Sequence, residues 1–320
     1  MPATSKESSP LDKVVVDSFD AATAAVEDVL DSLKRNGGCV IKNFMSLEDV
    51  DQVISDVHPY LEADEPWEGD FFPKETRRVF GLAAKSPLYM EKIPGNPLYN
   101  SVCQKFLSTE TTTWVGNKQV TDISPPQINS AVVISIGPGA SAQPLHRDDS
   151  LHHNKKPQVT LKEYTMSRET AVGVFVAGTK STKANGATRF IPGSHMDESL
   201  SGPGDENKVV YAELEKGDAF FMLASCYHGG SANTTTDQMR VIFGMFMTRG
   251  YLRQEENQFL ANPMDKVQKL PIQTQKLLGY SVSAPFLGWV DLKDPIHVLN
   301  GETGTYDLDP ALAAAPVPES

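Results

Sequence analysis

Two hydrophobic periodicities divide this chain. In DAATAAVEDVLDSLKRNGG, Val26, Val29, Leu30 and Leu33 recur at three- and four-residue spacing, the stripe of an amphipathic helix. Gly37 and Gly38 stop it. CVIKNF (39–44) reads as a strand, and Val14–Val16 as a short one before the helix. Ser46 with Asp49 makes a capping box for a second helix. Its face is Leu47, Val50, Ile54, Val57 and Leu61, and Pro59 is expected to kink or end it. Residues 62–128 are less regular, with Trp67, Phe71, Phe72, the basic pair Arg77 and Arg78, and several prolines. Short helices and loops covering a site are expected there.

From about residue 129 the period changes. SAVVISIG (130–137), TAVGVFVAG (170–178), VVYAEL (209–214), DAFFMLAS (218–225) and MRVIFGMFMT (239–248) are short apolar runs with turn residues between them. Runs of this length predict buried strands of a sandwich or barrel. The fold class expected is mainly β with flanking α. No internal repeat or linker divides the chain, so residues 13–309 are expected to form one domain. The polar, Ser- and Pro-containing residues 1–12 are expected to be disordered, and residues 310–320 a mobile tail.

Composition narrows the function classes. Among 320 residues, Lys plus Arg total 29 and Asp plus Glu 41, a net charge of −12. Such a surface repels phosphate backbones, which argues against nucleic acid as a partner but leaves room for a local basic pocket. No apolar run approaches the ~18 residues of a membrane span. MPATSKESSPLDK has no apolar core of a secretory signal, and APVPES matches no retention or peroxisomal signal. A cytoplasmic protein is expected. Cys39, Cys103 and Cys226 are odd in number and widely spaced, which fits a reducing compartment and neither a disulfide framework nor a zinc cluster.

The candidate chemistry lies in two histidine-containing segments. In QPLHRDDSLHH (143–153), His146 and Asp148 are two apart. In extended backbone such positions share a face, so an imidazole and a carboxylate project side by side, as ligands of one metal would. Asp149 points the other way. In SCYHGGSANTTTDQMRVIF (225–243), His228 ends an apolar strand, and Gly229 and Gly230 leave no bulk beside it. Close approach of a ligand or metal is one reason for such glycines. Two histidines and a carboxylate on one face of an octahedron form the facial triad of non-haem iron(II) oxygenases, whose remaining positions stay open for co-substrate and dioxygen. Arg240 follows at the start of a strand. Its planar fork suits a carboxylate, such as the far end of 2-oxoglutarate.

LHRDD, NGATRFIPGSH (185–195), YHGG and the following Arg240 together resemble the phytanoyl-CoA dioxygenase family of Fe(II)/2-oxoglutarate enzymes, and within it a fungal natural-product branch. The similarity runs from the first helices to GYSVSAPFLGWVDLKDP (279–295). The resemblance implies a double-stranded β-helix, or jelly roll, with helices outside. It implies His146, Asp148 and His228 as iron ligands, Arg240 on the 5-carboxylate of 2-oxoglutarate, and Gln143 and Thr188 hydrogen-bonding that co-substrate. It implies dioxygen as oxidant, ascorbate as an in vitro reductant, and a small polycyclic substrate such as an alkaloid or meroterpenoid. It also implies pairing into a homodimer.

Blander readings stand beside these. His152 and His153 read as rim residues, His195 as a structural hydrogen-bonder at a turn, and Cys226 as a buried strand residue. Arg240 could serve a salt bridge, and Gln143 could be a surface residue. Phe246 shares the strand face of Arg240, Ile242 and Gly244 and is a candidate pocket residue, with plain barrel packing as the alternative. Arg78 is a second pocket candidate. Two other function classes remain at this point: a non-catalytic jelly-roll binding protein, and a cupin-type hydrolase or isomerase using another metal. Asp148 argues against a halogenase, which needs a small residue there.

Overall fold

The computed structural model describes residues 16–69, 72–199 and 202–303. In chain order it contains β1 (Ser18–Asp20), α1 (Val26–Asn36), β2 (Gly38–Lys42), α2 (Leu47–Glu62), β3 (Thr76–Val79), α3 (Leu82–Lys85), α4 (Pro87–Lys92) and α5 (Pro97–Leu107). The hairpin β4 (Thr109–Val115) and β5 (Lys118–Ser124) follows, then β6 (Pro126–Ile136), β7 (Ala171–Ala177), β8 (Thr188–Phe190) and β9 (Val210–Ala212). The last strands are β10 (Ala219–Leu223), β11 (His228–Gly230) and β12 (Arg240–Arg249). Four short helices close the described chain: α6 (Gln258–Ala261), α7 (Met264–Val267), α8 (Ile272–Leu277) and α9 (Pro295–Asn300).

Seven strands form one sheet in the order β1-β2-β10-β7-β12-β6-β3, and β11-β8-β9 form a second. Only the β1–β2 pair of these ladders is parallel. This is a jelly roll: a large sheet with helices on its outer face and a small sheet facing its inner one. The apolar runs are continuous, not alternating, because both faces of the large sheet are covered. On the outer face Val172, Val174 and Val176 of β7, Phe221 of β10, and Phe243 and Met245 of β12 pack with Leu33 of α1, Val50 and Val53 of α2, and Tyr99 and Phe106 of α5. Each such side chain contributes on the order of 2 kcal/mol when fully buried. On the inner face Phe220, Met222, Phe190 and Ile242 form a second cluster, with Phe175 and Ile134 against it.

The helix predicted over Val26–Leu33 runs to Asn36 and ends as expected, with Gly37 left-handed at φ 77° and its N–H on the Leu33 carbonyl. Ser46 caps α2 by accepting from the Asp49 N–H. Two details differ. The buried stripe of α2 is Val50, Val53 and Val57, while Leu47 is 58 % exposed. Pro59 sits inside the last turn, and the helix continues to Glu62. Ser55 and Pro59 are both exposed, so water can take the carbonyl that Pro59 leaves without a partner. The first strand is Ser18–Asp20; Val16 lies before it, and Val14 and Val15 fall outside the described residues. So do residues 1–12 and 310–320, and Phe71. Among the described residues no helix is long and apolar enough to cross a membrane.

Gly37 shows how tightly α1 is set against the site-bearing half. A Cβ there would stand 2.1 Å from Cys226 Sγ and 2.7 Å from His195 Nδ1. Both strain and clash oppose a side chain, so Gly37→Ala is expected to destabilise the fold by about 2–4 kcal/mol, read as a lower urea midpoint with unchanged slope.

Candidate metal centre and its pocket

β11 lies between β8 and the segment ending at His146. His146 and His228 face each other across an isolated antiparallel bridge, with both N–H···O bonds at 2.9 Å. Residues directly opposite in such a pair project to one face. Their rings accordingly stand 4.5 Å apart between centroids. Asp148 arrives differently from the extended arrangement expected. Arg147 is extended, but Asp148 opens a 3-10 turn, Asp148–His152. Its carboxylate still reaches both imidazoles: Oδ1 is 3.4 Å from His146 Nε2 and Oδ2 is 3.2 Å from His228 Nε2. One ligand atom from each residue lies within 4.8 Å of the others.

The other ring nitrogens settle the tautomers. His146 Nδ1–H donates to the Pro144 carbonyl at 2.8 Å, and His228 Nδ1–H to the Cys226 carbonyl at 3.2 Å. A carbonyl only accepts, so each ring carries a proton on Nδ1, and each Nε2 is left on the Asp148 side, to ligate a metal as the neutral imidazole or, in the metal-free protein, to donate to Asp148 as the imidazolium. Two neutral imidazoles and one carboxylate, with no fourth His, Cys, Asp or Glu of the described residues in the group, fit a ferrous ion that keeps open positions. Asp149 points away, as expected, and forms a buried ion pair with Lys156.

Burial pulls the His146 imidazole down, but the hydrogen bond and charge of Asp148 and the Pro144 carbonyl outweigh it and the net shift is upward. Burial raises Asp148, yet the charge of His228 and the hydrogen bonds of both histidines prevail and hold it well below the usual range. Each group favours its charged form because the other is present.

The glycines after His228 also serve the protein's own packing. A Cβ on Gly229 would meet the Pro144 carbonyl oxygen at 3.1 Å, and one on Gly230 would meet Gln143 Oε1 at 3.0 Å. The neighbouring backbone and Gln143 approach closely here, and Gly230 lines the cavity as well. Gln143 Oε1 accepts from the Gly230 N–H at 2.9 Å. Arg189 adds a clasp, donating to the Gly230 carbonyl at 2.6 Å and the Gln143 carbonyl at 2.8 Å.

Arg240 opens β12 and is 2 % exposed. Its Nε donates to Ser181 Oγ and its Nη2 to Thr188 Oγ1, each at 3.0 Å. Among the described residues no carboxylate pairs with it, which removes the salt-bridge alternative there. Burial lowers its pKa to about 10, so it remains a cation at neutral pH. Arg240, Thr188, Gln143, His228, Phe175 and Ile242 line one cavity. The sequence thus pointed to six residues that the fold brings to this place or its edge: Arg240, Thr188, Gln143 and His228 in the lining, and His146 and Asp148 grouped with His228. It missed Ser181, which carries no local signal, and Phe175, which the two-residue period of β7 places on the inner face. Phe246 is not among the cavity's lining; it packs edge-on against Phe175, 5.4 Å between centroids, and Phe175 stands 6.3 Å from the His228 ring. Arg78 does not line it either. Asp64 holds its guanidinium at 3.2 Å, and it lies 5.1 Å from the ring of Phe72, which does line the cavity.

Of the remaining histidines, His195 is hydrogen-bonded at 3.0 Å to the Lys34 carbonyl, a structural role. Burial lowers its pKa to about 4. His152 and His153 end the 3-10 turn that Asp148 begins.

A helix-flanked jelly roll with a His-Asp-His group defines an oxygenase-type scaffold. The family model of phytanoyl-CoA dioxygenase matches residues 33–242. The dioxygenase himG of Aspergillus japonicus is 41 % identical over 300 residues, covering 91 % of this chain and 92 % of its own. The dioxygenase peniF of Penicillium patulum is 38 % identical over 280 residues, covering 87 % and 90 %. HygX from Streptomyces hygroscopicus, solved with nickel and 2-oxoglutarate, shares the fold at a TM-score of 0.53 and 15 % identity, covering 72 % of this chain and 90 % of its own. The chain belongs to the phytanoyl-CoA dioxygenase family of Fe(II)/2-oxoglutarate enzymes. It is an oxidoreductase, a dioxygenase.

The His146–Asp148 pair sets a pH dependence. Because the folded His146 pKa lies above its ordinary 6.5, its protonation stabilises the metal-free protein fully below that value. This stabilisation is lost as pH rises through the folded pKa. The same proton occupies Nε2, so metal affinity is expected to rise over the same interval. Thermal unfolding of the metal-free protein and nickel titrations between about pH 5.5 and 8.5 check both trends; a metal affinity that falls across this range contradicts the assignment.

Proposed function

We propose that this dioxygenase uses Fe(II), 2-oxoglutarate and dioxygen to oxidise a small polycyclic natural product, an alkaloid or meroterpenoid, in fungal-type secondary metabolism. The observation that carries the co-substrate assignment is Arg240: a guanidinium buried in the same cavity as His228, with two hydroxyl partners and, among the described residues, no acid. An uncompensated buried charge is costly, so such a group implies an anion bound in the working protein. A dicarboxylate spanning from Arg240 to the metal ligands satisfies both ends of the cavity. The kinship with himG and peniF supports the natural-product setting. The free, buried state of Cys39, Cys103 and Cys226 supports a cytoplasmic one.

In this reading His146 Nε2, His228 Nε2 and the Asp148 carboxylate hold the iron. The metal with 2-oxoglutarate supplies the oxidising power, dioxygen being consumed as 2-oxoglutarate becomes succinate and CO₂. The protein positions and shields. The Pro144 and Cys226 carbonyls keep both imidazoles in the ligating tautomer. Ser181 and Thr188 orient the Arg240 fork toward the far carboxylate, and Gln143 closes the rim from the Gly230 side. Phe175, Ile134 and Ile242 exclude water from the space between. The position of the substrate C–H bond then selects hydroxylation, desaturation, rearrangement or endoperoxide formation.

Anaerobic titration of Fe(II) and 2-oxoglutarate, followed by the weak visible charge-transfer band, tests this. His228→Ala and Asp148→Ala should abolish the band. Arg240→Gln should weaken 2-oxoglutarate about 100-fold while iron binding is retained, since a two-point charge-assisted contact is lost. Unchanged co-substrate affinity in that variant would remove Arg240 from the role. Turnover with zinc and without oxygen would overturn the oxidative reading.

A further inference from the structure

A second charge, at the far end of the inner face, has no counter-charge among the described residues. The β6–β12 ladder runs in register from Arg240 opposite Ile136 to Phe246 opposite Ser130, then shifts, leaving Asn129 as a bulge residue before Ile128 pairs with Met247. Bulges re-aim side chains and cluster near active sites. Here the bulge grips the chain that returns after β12. Asn129 Oδ1 accepts from the Glu255 N–H at 2.9 Å, and the Asn129 carbonyl accepts from the Glu256 N–H at 3.1 Å. Ser130 Oγ donates to Glu255 Oε2 at 2.8 Å, and Asn129 Nδ2 donates to the same oxygen at 3.3 Å.

This places the Glu255 carboxylate at the end of the inner face remote from Arg240. Ser130, Phe246, Ile242 and Arg240 share that face through the ladder, and Phe246 leads through Phe175 to the His228 ring. The 3-10 turn that begins at Asp148 approaches the same segment, where His152 hydrogen-bonds the Arg253 backbone. Desolvation raises the Glu255 carboxyl, with smaller contributions from the charges of Asp148 and Glu256, against the Ser130 hydrogen bond. Glu256 is consumed structurally, accepting from the Gly81 N–H at 2.7 Å and from Gln258 Nε2 at 2.8 Å. Glu255 is exposed, and no Lys or Arg among the described residues pairs with it.

We propose that Glu255 anchors a protonated amine of the substrate, so that the substrate is a basic nitrogen compound. This rests on the function proposed above. Within it, the inner face has an order: a buried cation in the cavity for the co-substrate carboxylate, then His228 of the metal group with Phe175 beside it, and a fixed anion beyond Phe246, outside the cavity's lining. Two neutral donors hold Oε2, which leaves Oε1 for the incoming ammonium. Phe246, which lies opposite Ser130 and edge-on to Phe175, supplies aromatic surface for the carbon skeleton between Glu255 and the cavity. An amine held at Glu255 also shields Asp148 from a like charge.

The test uses matched probes: tryptamine, phenethylamine and tetrahydro-β-carboline, each against its N-acetyl derivative. Binding is read from the perturbed charge-transfer band of the anaerobic Fe(II)–2-oxoglutarate protein, and from succinate released in air. At least one amine should bind about ten-fold or more tightly than its amide, with affinity falling at high salt. Glu255→Gln should erase that preference while leaving 2-oxoglutarate affinity unchanged. Ser130→Ala, which loosens the carboxylate without removing it, should lower the preference by a smaller factor. A set in which no amine surpasses its amide, or a preference that survives Glu255→Gln, overturns the assignment. A protein that forms no band with Fe(II) and 2-oxoglutarate instead overturns the function it rests on, and this assignment with it.

Discussion

The pair of backbone hydrogen bonds between His146 and His228 is the constraint on which the site depends. It places two residues from distant parts of the chain directly opposite each other, so their imidazoles emerge on one face without any side-chain interaction being required. Everything around the pair maintains it. Gly229 and Gly230 let the segment Gln143–His146 lie close to β11, Arg189 ties the two backbones together, and two carbonyls hold the rings by Nδ1. The short 3-10 turn then delivers Asp148 to both Nε2 atoms.

Charge organises the rest of the cavity. Asp148 and the two imidazoles form one compensated group, whereas Arg240, among the described residues, is buried against hydroxyls alone. A folded protein tolerates a lone internal cation only at a cost, and binding an anion offsets that cost. In the function proposed above, the stability spent on Arg240 is recovered as affinity for the co-substrate. The chain as a whole carries −12, so this local positive site arises from placement and not from composition.

The large sheet, packed on both faces, supplies the close packing on which such placement rests. Its outer face is filled by helices, with Tyr99 of α5 donating to the Val172 carbonyl at 2.8 Å, and its inner face carries both the apolar cluster and the polar site. Consecutive residues of β12 therefore serve opposite purposes: Val241 and Phe243 pack under the helices, while Arg240 and Ile242 face the cavity.

Local rules read β2, β6, β7, β9, β10 and β12, the first two helices and the His-x-Asp, His-Gly-Gly and Arg240 signals directly from the amino-acid order, because periodicity and turn chemistry act over a few residues. They also failed locally: β3 and the β4–β5 hairpin lie where helices and loops were expected, β8 was not read, His228 opens β11 instead of ending a strand, Asp148 leaves extended backbone, and Leu47 turns outward. What the order of residues could not reveal is which distant backbones lie side by side. That decided the opposition of His146 to His228, the Ser181 and Thr188 partners of Arg240, and the grip of Asn129 on Glu255. These contacts join segments far apart in the chain, and their geometry comes from sheet register and close packing, which exist only once the whole domain has closed.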